Sequence, residues 1–165
     1  MSVSFRDIDF LSDNDCLMLA NWFNQDVDAL SLTAEGGETL ESVRKSYTEK
    51  KRADFEAFFI CVEGIPVGYC SFFLDPSHKK SSKSVAWPSI AIGETSHRRK
   101  GLVKLIEKEV GQRAKKYGAT HIEAGIFKHN IPMIKLLEKY GYERIGSNIV
   151  GPAQIESYHY LKPIE

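Results

Sequence analysis

The stretch from Ile90 to Val103 reads IAIGETSHRRKGLV and carries the strongest signal for the fold of this chain. Its apolar start predicts a short strand, its basic turn contains Gly101, and an amphipathic helix follows. A helix begins with unpaired backbone N–H groups and a partial charge of roughly +0.5, and both attract an anion. Because glycine lets a phosphate approach the backbone closely, the stretch predicts an anion site.

The predicted helix after this turn has an apolar face, with residues repeating at intervals of three and four. Gly118 is typical of a left-handed cap at its end. Taken alone, Arg98, Arg99 and Lys100 are also compatible with a solvated surface turn. A strand before the turn and a helix after it favour a phosphate loop, since such a loop needs that context. The apolar positions are Leu102, Val103, Leu105, Ile106, Val110, Ala114 and Tyr117.

Two motifs of the chain resemble those of the GNAT superfamily of N-acetyltransferases. Arg98-x-x-Gly101-x-Val103 is similar to the family's (Arg/Gln)-x-x-Gly-x-(Gly/Ala) loop, whose backbone amides hold the pyrophosphate of acetyl-CoA. The segment from Asn130 to Tyr142 is similar to the family's Asn-x-x-Ala-x-x-Leu-Tyr-Glu-Lys-x-Gly-Phe signature. Together with the order of the predicted elements, the two motifs extend the resemblance over nearly the whole chain.

The resemblance implies an α/β (α+β) chain with the GNAT acyl-CoA N-acyltransferase fold. This fold is a mixed, mostly antiparallel sheet flanked by helices, with a splayed parallel strand pair that admits the pantetheine arm of CoA. It also implies acetyl-CoA as the cosubstrate and direct attack of a primary amine on the thioester. The residues that it assigns to the cofactor are Ala91, Ile92, Arg98, Arg99, Lys100, Gly101, Leu102, Val103 and Asn130.

Two residues depart from the family pattern. Val103 replaces the second small residue of the pyrophosphate loop. Leu137 occupies the place where the family usually carries the Tyr that is thought to protonate the departing thiolate. A thiol has a pKa of ~8.5, so its anion leaves tolerably well without a protein donor. The proton donor is therefore open between Tyr140, Tyr142 and water.

The general base is also open, because the stretch from Val85 to Ile92 contains no carboxylate, where family members often place one. The resemblance points first to Glu35 and Glu38 as catalytic candidates, since the loop that contains them covers the acceptor groove in the proteins that the chain resembles. A surface charge without a catalytic role is the alternative for each. Further candidates are Asp75, His78 and Glu94.

Composition narrows the class of protein. With 165 residues, of which 42% are hydrophobic and 27% charged, the chain predicts a single domain over residues 1–165. Lys and Arg number 22, as do Asp and Glu, so the zero net charge argues against nucleic acid or an anionic membrane as partner. Three cysteines suit neither a zinc cluster nor a disulfide framework, and no metal is expected. With no signal peptide and no apolar run of the ~20 residues that span a bilayer, we expect a cytoplasmic protein.

Periodicity and turn residues predict the element order β-α-α-β-β-β-α-β-α-β-β. The strand after the phosphate helix should pair in parallel with the strand before it. Pro88 predicts an edge or a bulge, since proline lacks the N–H donor of a ladder. The aromatic residues of the first hairpin are predicted to be core. Apart from the helices that begin near Leu102 and Asn130, we expect helices at 13–24, after a cap at Ser12 or Asp13, and at 39–52. Strands are expected at 3–8, 55–62, 67–74, 85–92, 120–127, 142–150 and 154–161.

The resemblance implies an acetyl-CoA-dependent N-acetyltransferase, an acyltransferase whose acceptor the sequence leaves open. Small amines, including aminoglycoside-like compounds, and protein amino groups are all compatible. A non-catalytic acyl-CoA-binding or sensor domain is an alternative, and a nucleic-acid-binding module is a weaker one because of the zero net charge. A homodimer is compatible with the sequence, which does not decide the oligomeric state. The acidic residues that lean toward a cationic small molecule are Asp26, Asp28, Glu35 and Glu38.

Overall fold

The computed structural model describes residues 1–26, 37–49, 54–75 and 83–165. Its elements follow the predicted order, with a 3₁₀ turn at Thr95–His97 in addition. The strands are β1 Val3–Asp7, β2 Phe55–Val62, β3 Ile65–Asp75, β4 Val85–Ala91, β5 His121–Phe127, β6 Glu143–Val150 and β7 Ile155–Pro163. The helices are α1 Asp13–Gln25, α2 Leu40–Glu49, α3 Leu102–Lys115 and α4 Ile131–Lys139.

Within the described residues, seven strands form a sheet in the order β1-β2-β3-β4-β5-β7-β6. β4 and β5 pair in parallel through Val85–His121 and Ala86–Ile122, which confirms the predicted parallel pair. The other pairs are antiparallel, so the predicted mixed, mostly antiparallel sheet is confirmed. β5 pairs with β7 along its whole length, with Gly125 directly opposite His159.

By its internal contacts the chain divides into two compact units. The first comprises Met1–Ser71 and Ser89–Ile106. α1 and α2 provide much of its core, and Leu40 and Tyr47 pack against that core as predicted. Fully burying one such large apolar side chain contributes about 1.5–3 kcal/mol. The buried core residues are Ile8, Cys16, Leu19, Ala20, Trp22, Val43, Phe59, Cys61 and Tyr69.

The second unit comprises Phe72–Pro88 and Glu107–Glu165. Its buried residues come from the end of β3, the start of β4, the helices α3 and α4, and the chain from β5 to β7. The prediction of one domain over residues 1–165 stays a prediction. The buried apolar residues of this unit include Phe72, Val85, Ala86, Val110, Ala114, Ile122, Leu137, Tyr142 and Tyr160.

The helix ends follow the sequence signals. Ser12 caps α1 through its hydroxyl, which accepts from the N–H of Asp15, and so resolves the choice between Ser12 and Asp13. Gly118 has a φ of +83° after α3, and the N–H of Ala119 bonds the carbonyl of Ala114 at 3.2 Å. This is the Schellman motif, which requires a left-handed residue and therefore favours glycine.

Several apolar residues that the periodicity placed inward are exposed. Leu105 is 42% exposed and Tyr117 48%, because the apolar stripe of α3 narrows to the positions of Leu102, Ile106, Val110 and Ala114. Phe73 of β3, an aromatic residue predicted to be core, is 49% exposed. A pattern of apolar residues does not show which strand faces or helix flanks other elements cover.

The edge position suggested by Pro88 is wrong, since β4 lies between β3 and β5 in the sheet. The ladder from β4 to β5 instead ends at Ala86 and Ile122, before the proline. Proline is therefore tolerated in an inner strand where that ladder has already stopped.

Some predictions fall outside the described residues, namely those on Asp28, Glu35 and His78 and the last turn predicted for α2. None of the helices in the described parts of the chain has both the length and the hydropathy needed to span a bilayer.

Asp15 provides a test of the packing of α1. It is 6% exposed and accepts two hydrogen bonds from the Arg6 guanidinium at 2.9 and 3.0 Å and one from the N–H of Asp9 at 3.0 Å. Burial alone would raise the pKa of Asp15, but the bonds from Arg6 and Asp9 outweigh it and lower the pKa. A carboxyl with a lowered pKa stabilises the fold above its unfolded-state pKa, and this stabilisation is lost as the pH falls through its native-state pKa.

We expect Asp15→Asn to reduce the free energy of unfolding at neutral pH by about 1–3 kcal/mol, because Arg6 and Asp9 lose a charged acceptor. The difference from wild type should shrink in acid, as measured by urea denaturation at a series of pH values. Asp13→Asn is the matched control, since its pair with Arg44 leaves the Asp13 side chain 75% exposed. An equal effect of both substitutions at all pH values would contradict this.

Candidate active site

The predicted phosphate loop lies between the end of β4 at Ala91 and the start of α3 at Leu102. Gly101 has a φ of +75° and Arg99 a φ of +62°, so the chain turns sharply just before the helix. A Cβ built on Gly101 meets no atom within 4 Å, which shows open space on that side of the backbone. This geometry fits a phosphate placed against the amides of the helix start.

Side chain and backbone bonds hold the loop in this shape. The Arg98 Nε donates to the carbonyl of Ile92 at 2.9 Å and so closes the loop on itself. The N–H groups of His97 and Arg98 bond the carbonyls of Glu94 and Thr95 at 2.9 and 3.1 Å. Arg98, Arg99 and Lys100 are all exposed, so their positive charges face solvent where an anion would arrive. The structure thus brings these predicted residues together in one turn.

Trp22 anchors the start of the loop, which the sequence reasoning missed. Its indole N–H donates to Glu94 Oε1 at 3.1 Å, and a Cβ on Gly93 would lie only 2.2–2.3 Å from three atoms of its ring. Trp22 also packs edge-on against Phe59, and Gly93 is buried. The signal in the sequence was an apolar helix residue with a polar N–H, but only the fold supplies its distant partner.

The remaining predicted residues of the loop lie on its apolar side. Leu102 is 2% exposed and fixes the first turn of α3, while Val103 is half-buried. Ala91 and Ile92 approach Gly68 of β3 so closely that a Cβ there would lie 2.5 Å from the Ala91 carbonyl oxygen. The backbone of this segment is therefore fixed by steric contact as well as by hydrogen bonds.

In the second unit, Asn130 caps α4 and accepts from the N–H of Met133 at 3.3 Å. Leu137, at the place of the usual Tyr, is 4% exposed and serves as core. Tyr142, one of the alternative proton donors, is 6% exposed. Burial raises the pKa of Tyr142, and the charge of Glu107 and its hydrogen bond raise it further. Tyr142 is therefore a poor acid, whereas Tyr140 is only half-buried.

Of the two predicted catalytic carboxylates, Glu38 is described and Glu35 is not. Glu38 is held by α1, because Asn24 Oδ1 accepts from its N–H and Asn24 Nδ2 donates to its carbonyl, both at 2.7 Å. Its carboxylate accepts from the Ser42 hydroxyl. These contacts order the start of α2, and a catalytic role for Glu38 stays a prediction.

The contact of Trp22 with Gly93 can be tested by stability. We expect Gly93→Ala to lower the free energy of unfolding by about 1–3 kcal/mol, because the new methyl group overlaps the indole ring. Gly125→Ala is the matched control, since the nearest atom to its Cβ is 3.6 Å away. In a denaturation cycle with Trp22→Leu, the double variant should lose less than the sum of the single losses. Additive losses would contradict the contact.

The chain is similar to a family of acetyltransferases and to several solved structures. The model of the acetyltransferase (GNAT) family matches residues 18–142. None of the curated sequences compared with the chain is significantly similar to it. Among solved structures, an N-acetyltransferase from Staphylococcus aureus Mu50 is 18% identical, with 100% of each chain covered and a TM-score of 0.77.

Two further structures are similar at the level of the fold. A ribosomal-protein-alanine N-acetyltransferase from Brucella melitensis is 21% identical, with 97% of this chain and 99% of that one covered and a TM-score of 0.76. The aminoglycoside acetyltransferase AAC(6')-Ib, in complex with paromomycin and acetyl-CoA, is 20% identical, with 99% and 94% covered and a TM-score of 0.75. The family model covers most of the chain, including the phosphate loop and the segment that begins at Asn130, and the chain therefore belongs to the GNAT family of acetyltransferases.

Proposed function

We propose that this protein transfers an acetyl group from acetyl-CoA to a primary amine by direct attack of the amine on the thioester. The observation that carries the proposal is the shape of the loop before α3. Its glycine has a positive φ and open space beside it, and basic side chains surround it. A loop of this shape in a GNAT chain supports binding of the pyrophosphate of CoA.

The residues proposed to hold CoA are those of the loop and the first turn of α3. The amides around Gly101 and Leu102 would bind pyrophosphate oxygens, and Arg99 and Lys100 would add charge. Ala91 and Ile92 would contact the cofactor through their backbone. Asn130, which caps α4, is proposed to act near the cofactor by shaping that turn.

The chemistry requires a neutral amine. A Lys-type amine with a pKa of ~10.4 costs roughly 4.6 kcal/mol to deprotonate at neutral pH, whereas an α-amine with a pKa of ~8 costs about 1.4 kcal/mol. A base therefore contributes more for the first kind of acceptor. The thiolate of CoA leaves with modest help, which makes the buried Leu137 in place of Tyr compatible with turnover.

The acceptor is proposed to be a cationic small amine, and the cytoplasm is the proposed location. The acidic residues between α1 and α2 support a cationic acceptor, since carboxylates attract ammonium groups. The similarity to an aminoglycoside acetyltransferase is compatible with this choice, and the similarity to a ribosomal-protein-alanine N-acetyltransferase makes a protein amino terminus the competing acceptor.

A panel assay tests the proposal. Consumption of acetyl-CoA would be followed with paromomycin, with a peptide that begins with alanine, and with lysine amide. Turnover of any of these supports an acetyltransferase, and faster turnover of paromomycin than of the peptide supports a cationic small molecule. Calorimetric binding of CoA without any turnover would instead indicate an acyl-CoA sensor.

We expect Gly101→Ala to weaken the binding of coenzyme A at least tenfold, or by about 1.4 kcal/mol, because a side chain at this φ costs ~1–2 kcal/mol and also fills the open side of the loop. Calorimetry with coenzyme A measures the effect. Gly118→Ala is the matched control, since Gly118 also has a positive φ and an open Cβ position but caps the other end of α3. The control should lose stability and keep its affinity for CoA. Equal affinities in both variants would refute the loop assignment.

A further inference from the structure

A buried chain of polar side chains crosses three neighbouring strands of the second unit. Glu123 of β5 is fully buried, and its Oε1 lies 2.7 Å from Nδ1 of His159 on β7. His159 is 6% exposed, and its Nε2 bonds the side chain of Asn148 on the edge strand β6. Asn148 itself is exposed, so the chain leads from the interior to solvent. A buried carboxylate that orients an imidazole is the arrangement found where proteins move protons.

The surface beside His159 is formed by a glycine and aromatic rings. The residue opposite His159 on β5 is Gly125, which is exposed and has no side chain to cover the imidazole. The ring of Trp87 lies edge-on to His159 at 5.4 Å and stacks at 6.1 Å on Phe73, which is 49% exposed. Aromatic rings attract an ammonium group through their faces, and a carboxylate behind the imidazole adds negative charge.

Both protonation states of His159 suit this setting. A neutral ring donates from Nδ1 to Glu123 and offers the lone pair of Nε2, to which the Asn148 amide can present its NH₂ group. A protonated ring donates from both nitrogens, and Asn148 can then present its oxygen after half a turn of the amide. Both ring nitrogens can therefore keep a hydrogen-bond partner in either protonation state.

The described contacts of the His159 imidazole come from three strands. They include Glu123 from β5, Asn148 from β6 and the ring of Trp87 from β4. Nε2 is the nitrogen that faces the exposed Asn148. An amine that displaces this amide from Nε2 would come into hydrogen-bond contact with it.

We propose that His159, oriented by Glu123, is the general base that accepts the proton of the acceptor amine. The proposal rests on the proposed function and adds the residue that performs its proton transfer. The amine nitrogen bonds to the acetyl carbon and the C–S bond breaks. The excess proton on that nitrogen passes to Nε2 of His159. His159 then returns the proton to solvent or to the thiolate, so that the products are an acetamide and a thiol.

A purely structural role for this chain of side chains is the competing explanation. In that case Glu123 and His159 only join β5 to β7, and their loss would lower stability without changing how the rate depends on pH. The two explanations therefore differ in the pH profile of kcat/KM. General base catalysis typically contributes about 10²- to 10⁴-fold.

The first experiment compares His159→Gln and Glu123→Gln with wild type, using the fastest acceptor of the panel. His121→Gln is the control, because the His121 side chain on β5 contacts the Thr120 hydroxyl at 2.8 Å and has no part in the chain from Glu123 to Asn148. We expect kcat/KM of wild type to rise with pH as His159 loses its proton. His159→Gln should lower kcat/KM at neutral pH about 10²- to 10⁴-fold and remove this rising limb of the pH profile. Glu123→Gln should lower it by a smaller factor and shift the limb.

A second variant leaves the polar chain intact. A Cβ on Gly125 would make ordinary contacts, at 3.6 Å from Ser157 Oγ and 3.8 Å from Trp87 Cζ3, so Gly125→Val should fold. It should raise KM for the amine several-fold and leave the dissociation constant of CoA unchanged, because it fills the space beside the imidazole. Imidazole ¹⁵N NMR, assigned by the resonance missing in His159→Gln, should show the neutral ring protonated at Nδ1.

The outcomes separate this proposal from the proposed function. If wild type acetylates the acceptor and His159→Gln retains both its rate and its pH limb, His159 is not the base and the acetyltransferase assignment stands. An unchanged KM for the amine in Gly125→Val also overturns the proposal. If wild type binds CoA but acetylates none of the panel amines, both proposals fail together.

Discussion

The candidate phosphate loop depends on one steric constraint, the absence of a side chain at Gly93. Only a glycine lets the Trp22 ring lie directly on the backbone, and only there does the indole N–H reach Glu94. The ring is held in turn by Phe59 in the core of the first unit. The loop is thus fixed at its start by packing and farther along by the bond from Arg98 to the Ile92 carbonyl. A binding site built from backbone amides needs this rigidity, because amides that must first be ordered bind an anion less tightly.

The sequence predicts elements with strong periodicity or punctuation. The strand, turn and helix around Gly101, the parallel pairing of β4 with β5, and the caps at Ser12, Gly118 and Asn130 all follow from local signals. The burial of a side chain is less predictable, as Leu105 and Phe73 show, because elements distant in the chain determine which faces of a helix or sheet are covered. The edge position predicted from Pro88 is wrong for the same reason, since proline is tolerated where the neighbouring ladder ends.

The same difference between local and distant signals holds for the site residues. The loop from Arg98 to Gly101 is contiguous, so its motif is readable in the sequence. Glu123 and His159 lie far apart in the chain, and only the pairing of β5 with β7 brings the two side chains together. No spacing rule applies to such a pair, since its register is set by the whole sheet. Leu137 could be recognised as a departure, but its burial could not be derived from the motif.

The short ladder between β4 and β5 has a consequence for how the molecule reaches this state. A long crossover joins Val85 to His121, so closing that loop costs chain entropy. The ladder offsets this cost with two residue pairs. Such a pairing is expected to form late in folding and to open first in the native state. Amide hydrogens at this junction should thus exchange faster than those of β5 with β7, where seven residue pairs hold the strands together. A ligand that hydrogen-bonds to the backbones of β4 and β5 beyond this ladder would replace the absent inter-strand hydrogen bonds and slow that exchange.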